Sequence, residues 1–455
     1  MDIPITHRFS VAAEIQAAMA FLATDASQTV SELKETESAL KDRRRDMDDT
    51  EFYAARDQLR DAADTVKQHI RDDYAEDWQV NWNTGILLSR LGRDKAAMEF
   101  LERAHEQNPT DAHIPRKMAH ALVKLHKNDT LGGHLPRAIG YAEKAIEIDG
   151  HPESHEMLGD VYFAGGQHEN SFRSFAAASD LYEEQGLKSN GYAERRASEI
   201  LRRHLYRKDE AVPYAEDAYD LGPGDRRNIE ELGYAYSDAG EHDRAIPHLM
   251  HAHFKRPQMR VTLLKLHDSL LETGAYNEAM EFAKRLDTHA DARTLSLVKQ
   301  LRVAESTPRF ARESRQIAAD LEREASASDF DAARALGGYY FAHGEYERAL
   351  PLLKRVSADP RGQSYLNRTA QTMRELGDFA GSEAFVRTAM SKDPENPPAI
   401  LAAGWHAHDT DQLQLAAQCA ELIRQKAPDY RAASAFLTVM SEVSMDADWT
   451  EQPSA

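Results

Sequence analysis

Cysteine is nearly absent from this sequence, long apolar runs are missing, and basic residues are outnumbered by acidic ones, 56 to 76; each of these features argues against a class of protein. The single cysteine, Cys419, rules out an intrachain disulfide and any zinc site built from several cysteines. No apolar run reaches the roughly 18 to 20 residues that cross a bilayer, so membrane insertion is not expected. The net charge of -20 argues against general nucleic-acid binding, because phosphates attract a basic surface. Cytoplasmic residence is the default expectation.

Sequence motifs of catalysis and cofactor binding are also missing. The chain contains no G-x-S-x-G, H-E-x-x-H or G-x-G-x-x-G motif and no EF-hand loop. Two groups suggest a metal at first sight: His248, His251 and His253, then His406, His408, Asp409 and Asp411. Residues two apart point to different faces of a helix, and zinc needs three or four convergent ligands, so we expect solvated surface histidines instead. The sequence therefore predicts no catalytic residue, no metal and no cofactor.

One pattern recurs along most of the chain. Its clearest copy consists of Leu232, Gly233, Tyr236, Gly240, Ala245, Leu249, Ala252 and Pro257. The first glycine recurs as Gly85, Gly159, Gly337 and Gly404, and each has a small residue 12 positions later, namely Ala97, Ser171, Ala349 and Ala416. Small residues are needed where two antiparallel helices approach most closely, because larger side chains would overpack the contact. The spacing predicts a series of helix pairs.

Glycines and prolines delimit these helix pairs in the sequence. Six glycines are predicted to form the tight turn inside a pair: Gly92, Gly166, Gly240, Gly274, Gly344 and Gly377. Five prolines fall just past the second helices, where a missing N–H helps to stop a helix: Pro109, Pro257, Pro360, Pro394 and Pro428. An ordinary bundle of amphipathic helices explains the leucines and alanines, but not the constant order of turn glycine, small residue and terminal proline.

The combined spacing resembles the tetratricopeptide repeat, whose period is about 34 residues. The resemblance implies an all-α fold, a right-handed α-solenoid of antiparallel helix pairs, here with an N-terminal helical cap. In such a solenoid each pair packs on its neighbours, so a long chain folds without one central core. The resemblance also implies a scaffold for protein–protein interaction rather than an enzyme.

The regularity of the repeat changes along the chain and predicts five segments. These are an N-terminal helical cap or docking arm at 1–76, about six repeats at 77–290 with an insertion at 127–134, a degenerate repeat or bend at 291–330, about three repeats at 331–429, and a capping helix with a tail at 430–455. A cap is favoured at the N-terminus because the end of a solenoid must cover an apolar face. The sequence leaves the oligomeric state open.

In the family, the first helices of the pairs line a concave groove. Carried onto this chain, the groove positions and candidate apolar anchors are Trp82, Arg116, His120, Lys124, Glu156, Asp160, Phe163, Arg196, Arg203, His204, Glu230, Tyr234, Asp238 and Phe341. The charges alternate in sign between successive repeats, which favours pairing with the charges of a partner. The alternative is that they only solvate the helices and form weak pairs between repeats.

The resemblance thus predicts a non-catalytic scaffold that binds a peptide or protein segment in this groove and assembles or regulates a larger complex. A second interpretation is an accessory specificity subunit of an enzyme, such as a glycan-synthesis or transferase complex. One groove of the family, the dicarboxylate clamp of chaperone adaptors, uses Lys and Asn at set positions of the first helices. In the first repeat here, Trp82 and Ile86 occupy the corresponding positions, which argues against a chaperone-adaptor role.

Overall fold

A computed structural model describes residues 11–446, apart from 21, 23–24, 46, 74–75, 130–132 and 289–291. In this part of the chain every regular element is a helix, and consecutive helices form antiparallel pairs, as in a tetratricopeptide-like solenoid. The chain divides into two compact units, Met1–His248 and Leu249–Ala455. The start of the chain, the middle of the predicted insertion and the predicted tail after 446 lie outside the described residues.

The first unit contains the helices up to α13, whose last residues belong to the second unit. They are α1 (Val11–Met19), α2 (Ala26–Asp42), α3 (Asp49–Asp73), α4 (Trp78–Arg90), α5 (Asp94–Gln107), α6 (His113–Asn128), α7 (His134–Asp149), α8 (Pro152–Ala164), α9 (His168–Glu184), α10 (Tyr192–Arg203), α11 (Lys208–Leu221), α12 (Arg226–Ala239) and α13 (His242–Lys255). Each helix from α4 to α11 packs against the next one, and α6 also contacts α8.

The second unit continues the same alternation of helices. They are α14 (Arg260–Glu272), α15 (Tyr276–Arg285), α16 (Arg293–Ser306), α17 (Ala311–Glu324), α18 (Phe330–Ala342), α19 (Tyr346–Ala358), α20 (Leu366–Glu375), α21 (Phe379–Lys392), α22 (Pro397–Asp409), α23 (Leu413–Lys426) and α24 (Ser434–Asp446). The weakly patterned stretch 291–330 holds a helix pair, α16 and α17, joined through a 3-10 turn at Pro308–Phe310. From α4 onward, the even-numbered helices up to α22 are the first helices of pairs, and the odd-numbered ones are the second helices.

The predicted turn glycines and terminal prolines are confirmed. All six glycines have a positive φ, and Gly240, at 83°, closes α12 directly before α13 begins. A side chain at such a φ would be strained, so glycine is favoured there. The five prolines each lie two residues beyond the end of a second helix, namely α5, α13, α19, α21 and α23.

The recurrent glycines inside the first helices lie against large side chains, as expected for close helix contact. A Cβ added at Gly85 would lie 2.7 Å from Leu101 of α5, and one at Gly159 would lie 2.8 Å from Phe175 of α9. A Cβ added at Gly404 would instead overlap the ring of Phe436 of α24. The missing side chain at Gly404 therefore lets α24, the helix after the pair α22 and α23, pack closely against α22.

The hydrophobic cores run continuously from the N-terminal helices into the first repeat. Leu33 of α2 and Leu59 of α3 share one cluster with Leu87 of α4 and Phe100 of α5. The helices at 11–73 therefore cover the apolar side of α4 and α5. Among the described residues, no helix is both long and apolar enough to cross a membrane.

The histidine prediction is wrong at one residue, and the single cysteine lies in the core. Cys419 is buried, and burial raises the pKa of its thiol, which is typical of an inert core residue. His406, predicted to be solvated, is only 6% exposed, and its Nδ1 lies 3.1 Å from the Ser382 hydroxyl. The reason is that α22 packs against both α20 and α21, which encloses this side of the helix. Over the described residues, no group of three or more His, Cys, Asp or Glu side chains is placed to hold a metal.

Candidate binding groove

The candidate groove residues of the first unit lie on five successive first helices, α4, α6, α8, α10 and α12. We call the surface formed by these helices the first-helix face. Phe341 belongs to α18 of the second unit, where it contacts Tyr346 and the guanidinium of Arg368. The other thirteen residues lie in the first unit.

Arg116 joins α6 to α8. Its Nη1 donates a hydrogen bond of 2.9 Å to Glu153, and its Nη2 lies 3.7 Å from Asp149. The residue is only 7% exposed, and these two carboxylates neutralise its positive charge. This pair links two first helices, and although the Glu153 side chain is 52% exposed, the pair leaves little of Arg116 for a partner.

Asp160 joins α8 to α10. It accepts a hydrogen bond of 2.8 Å from the Tyr192 hydroxyl, and its other oxygen lies 3.6 Å from the Arg196 guanidinium. Burial raises the pKa of Asp160, while the Tyr192 hydrogen bond and the Arg196 charge act in the opposite direction. The carboxylate therefore holds two residues of α10 in place.

The strongest link between first helices involves two residues that the sequence analysis missed. Arg202 of α10 donates to both carboxylate oxygens of Glu231 at 3.0 and 2.9 Å, and to Asp238 at 3.0 Å, all from α10 to α12. Arg202 and Glu231 each expose only 8% of their side chains. Burial raises the pKa of Glu231, and the neighbouring Arg202 charge opposes that shift. Arg202 and Asp238 are 36 residues apart, which is close to one repeat. This spacing is the signal that could have identified the contact between Arg202 and α12.

An aromatic cluster lies where α8 meets α10. The Arg196 guanidinium stacks 4.3 Å from the centre of the Phe163 ring, and the His204 ring meets the same phenylalanine edge-on at 5.2 Å. His168 stacks on His204 at 4.1 Å. Burial lowers the pKa of His204, and the neighbouring His168 adds to that shift, which favours a neutral ring. Phe163 and His204 therefore pack against each other and expose only part of their surface.

Several candidate groove residues are mostly buried and present little surface to a partner. Tyr234 is 9% exposed and its ring lies 5.4 Å from the Arg202 guanidinium; Glu230 is 8% exposed. Trp82 is half-buried against the core beneath α4 and α6. The apolar–polar pattern of a helix does not distinguish these buried residues from neighbours that face solvent. The reason is that adjacent helices cover a groove-lining helix on both sides.

Three candidates, Arg203, Lys124 and His120, present part of their surface on this face. Arg203 exposes 57% of its side chain and pairs within its own helix with Glu199, at 2.8 Å. Lys124 donates to the Ser89 carbonyl of α4 at 3.1 Å. Burial lowers the pKa of His120 to about 4, with Lys124 adding to the shift, so this ring is neutral at pH 7.

Glu156 is the most perturbed carboxyl of the predicted groove. Burial raises its pKa to about 7, and the acidic neighbours Glu153, Asp160 and Glu194 raise it further, whereas a hydrogen bond with Tyr182 acts in the opposite direction. The group therefore titrates near neutral pH. A cation brought by a partner would favour its ionised form.

Comparison with known proteins agrees with the helix pairing. The family model described as "Tetratricopeptide repeat" matches residues 50–112, from the start of α3 to beyond the end of α5. No curated protein has a sequence that matches this chain.

Several solved structures share the helical fold. Yeast Tom70 is 10% identical, over 82% of this chain and 96% of its own, with a TM-score of 0.39. A tetratricopeptide repeat protein from Parabacteroides merdae is 14% identical, over 64% and 98%, also with a TM-score of 0.39. YrrB, described as having an unusual peptide-binding site, is 21% identical, over 44% and 97%, with a TM-score of 0.37. Scores this low give no information about function. The family-model match shows a tetratricopeptide repeat at residues 50–112, and the turn glycines and close-contact glycines continue the same pattern of helix pairs along the rest of the chain.

Proposed function

We propose that this protein is a non-catalytic scaffold whose first-helix face binds a segment of another protein and so assembles or regulates a larger complex. Tetratricopeptide repeat proteins in general mediate interactions with proteins and peptides, and this chain matches the model of that family at residues 50–112. The observation that carries the proposal is the row of ion pairs that crosses from one first helix to the next on this face.

These pairs favour binding because they fix the face before a partner arrives. Arg116 links α6 to α8, Asp160 links α8 to α10, and Arg202 links α10 to α12. A surface held in one geometry loses little conformational freedom on association, which increases affinity without any added contact. Exposed side chains such as Arg203 then extend from a rigid support.

The predicted segments are proposed as the organisation of this scaffold. Repeats at 77–290 and 331–429, with a degenerate repeat at 291–330, agree with the helix pairs. The helices before 77 are proposed to cap the first repeat, because their side chains share its core. The helix after 430 is proposed to cap the last, since Phe436 packs into the cluster of α22 and α23. The single cysteine fits the proposed cytoplasmic location.

Affinity capture with a matched pair of variants tests this function. Arg203 on the first helix α10 and Arg387 on the second helix α21 are both exposed and both pair with a glutamate four residues earlier. Arg203→Glu and Arg387→Glu thus make the same change in charge on different surfaces. We expect proteins captured by the wild type to be lost with Arg203→Glu and kept with Arg387→Glu.

The opposite result contradicts the proposal: a captured set that survives Arg203→Glu and is lost with Arg387→Glu would move binding to the second helices. The identity of the captured proteins separates the two interpretations of the sequence. An enzyme recovered in equal amounts with the chain would favour the accessory-subunit role.

A further inference from the structure

Positive charge accumulates at one place on a chain whose net charge is -20. Four cations define this basic patch: Lys34 of α2, Arg90 of α4, and Lys117 and Lys124 of α6. Helix α4 packs against both α2 and α6, so the patch lies across three neighbouring helices of the first unit. Of its members, only Lys124 belongs to the predicted groove positions.

The four cations are close enough to repel one another. Partial burial lowers the pKa of Lys34, and Arg90 adds to that shift. The pKa of Lys117 is lowered first by burial and then by Arg90 and Arg116, and Lys124 contributes in the same direction. Gathering these charges is unfavourable in the isolated chain, and a bound anion would relieve the repulsion.

The chain's own carboxylates neutralise the patch only in part. Glu37 lies 3.8 Å from Arg90 but is already bound by Lys41. Asp94 lies 3.8 Å from Lys124 and is buried.

The two outer lysines have no such acidic partner. Lys34 donates to the neutral amide of Asn83, at 2.8 Å. Around Lys117, none of the described carboxylates lies within 4.0 Å, and Glu153 is taken by Arg116 at 2.9 Å. Lys34 therefore has no carboxylate in direct contact, and Lys117 is opposed only by the more distant charge of Glu153.

We propose that the basic patch docks an acidic segment of a partner protein, with aspartate or glutamate side chains bound by Lys34, Arg90 and Lys117. Ile86 lies one helical turn before Arg90 and is half-buried, so it offers an apolar contact between the charges. Opposite charges at fixed positions favour a short acidic segment over other partners.

A nucleic acid fits the patch less well than an acidic segment does. Single-stranded nucleic acids bind by stacking bases on aromatic rings, and Trp82 of α4 packs into the core instead. A long polyanion would also meet the repulsion of the acidic remainder of the chain.

This inference rests on the proposed scaffold function and names the chemistry of its partner, so its test uses defined probes. The full chain is titrated into a short fluorescent peptide rich in Glu and Asp with two leucines, amidated to remove the terminal carboxylate. The control probes are the same peptide with Lys replacing each acid, and a single-stranded RNA of similar length. Fluorescence anisotropy gives each Kd at about 0.15 M salt.

The variants are Lys117→Glu, the double variant Lys34→Glu with Lys117→Glu, and Lys354→Glu as control. Lys354 is exposed on the second helix α19. We expect the wild type to bind the acidic peptide and not the basic one, the double variant to bind at least about tenfold more weakly, and Lys354→Glu to bind as the wild type does. Lys117→Glu alone tests the patch without removing a hydrogen bond, and circular dichroism checks the fold of each variant.

Three results would overturn the inference: no binding of the acidic peptide, binding that the double reversal leaves unchanged, or tighter binding of the RNA that the double reversal abolishes. If the acidic peptide fails while Arg203→Glu still removes captured proteins, the scaffold function stands and only the acidic partner is excluded. If both experiments fail, the scaffold function fails as well.

Discussion

The guanidinium of Arg244 lies 4.1 Å from the centre of the Tyr236 ring and donates a hydrogen bond to the tyrosine hydroxyl, which in turn donates to Glu216 at 2.7 Å. The second unit contains the same arrangement at the same spacing of eight residues, with Arg348 stacked 3.9 Å from the ring of Tyr340. Each arginine lies on a second helix and each tyrosine on the first helix of the same pair. The recurrent tyrosine thus links helices through its hydroxyl as well as its ring.

Tyr236→Phe is expected to lower the free energy of unfolding by about 1 kcal/mol, because it keeps the ring but removes the hydroxyl between Arg244 and Glu216. Urea denaturation followed by circular dichroism measures the change. Tyr206, which is 78% exposed, provides the control Tyr206→Phe. Equal effects of the two substitutions would show that the shared hydrogen bonds contribute nothing measurable.

Arg202→Ala is expected to destabilise the chain by about 3–5 kcal/mol, because it leaves Glu231 buried without a countercharge. Replacing both residues by methionine should recover much of this loss, since no buried charge is then left unpaired at that position. Arg323→Ala is the control, because Arg323 is 66% exposed and its pair with Asp320 lies within one helix. Thermal unfolding of the four proteins compares them; a loss at Arg202 no larger than at Arg323 would contradict this account.

Gly85→Ala is expected to cost about 1–3 kcal/mol, because the added methyl would overpack the contact with Leu101. Gly140→Ala is the control, since no atom lies within 4 Å of a Cβ added there. That control should be neutral or slightly stabilising, because alanine favours a helix over glycine. The melting temperatures of the two variants decide the question, and equal values would mean that helix approach does not constrain Gly85.

Glu156→Gln is expected to stabilise the chain by about 1–2 kcal/mol at pH 8 and to have little effect at pH 5. Folding raises the pKa of Glu156 to about 7, so the folded state is favoured while this carboxyl is protonated. That contribution is lost as the pH rises from the ordinary range through about 7. Unfolding of both proteins at a series of pH values measures the difference, and one that is constant with pH would contradict the shifted pKa.

Local rules were enough to predict the helix pairs from the sequence. Turn glycines such as Gly240 and close-contact glycines such as Gly85 act within a single pair, so their spacing is visible in one chain. Where the pattern weakens, near 291–330, few such residues occur, yet α16 and α17 still pair through ordinary apolar packing.

The surface of the first helices was harder to predict. Burial there depends on the neighbouring repeat, so Tyr234 and Arg116 matched groove positions but lie buried, while Arg202 was missed. Residue spacing fixes which helix carries a side chain, but not how deeply an adjacent helix covers it.

The most direct test of the scaffold function is site-specific photo-cross-linking to captured partners in cell extract. A photoreactive amino acid replaces Lys117 or Arg203, both exposed on first helices, or Lys354 or Arg387, both exposed on second helices. We expect a partner to be cross-linked from the two first-helix positions and not from the two second-helix positions. Cross-links that form only from Lys354 and Arg387 would contradict the claim that the first-helix face is the binding surface.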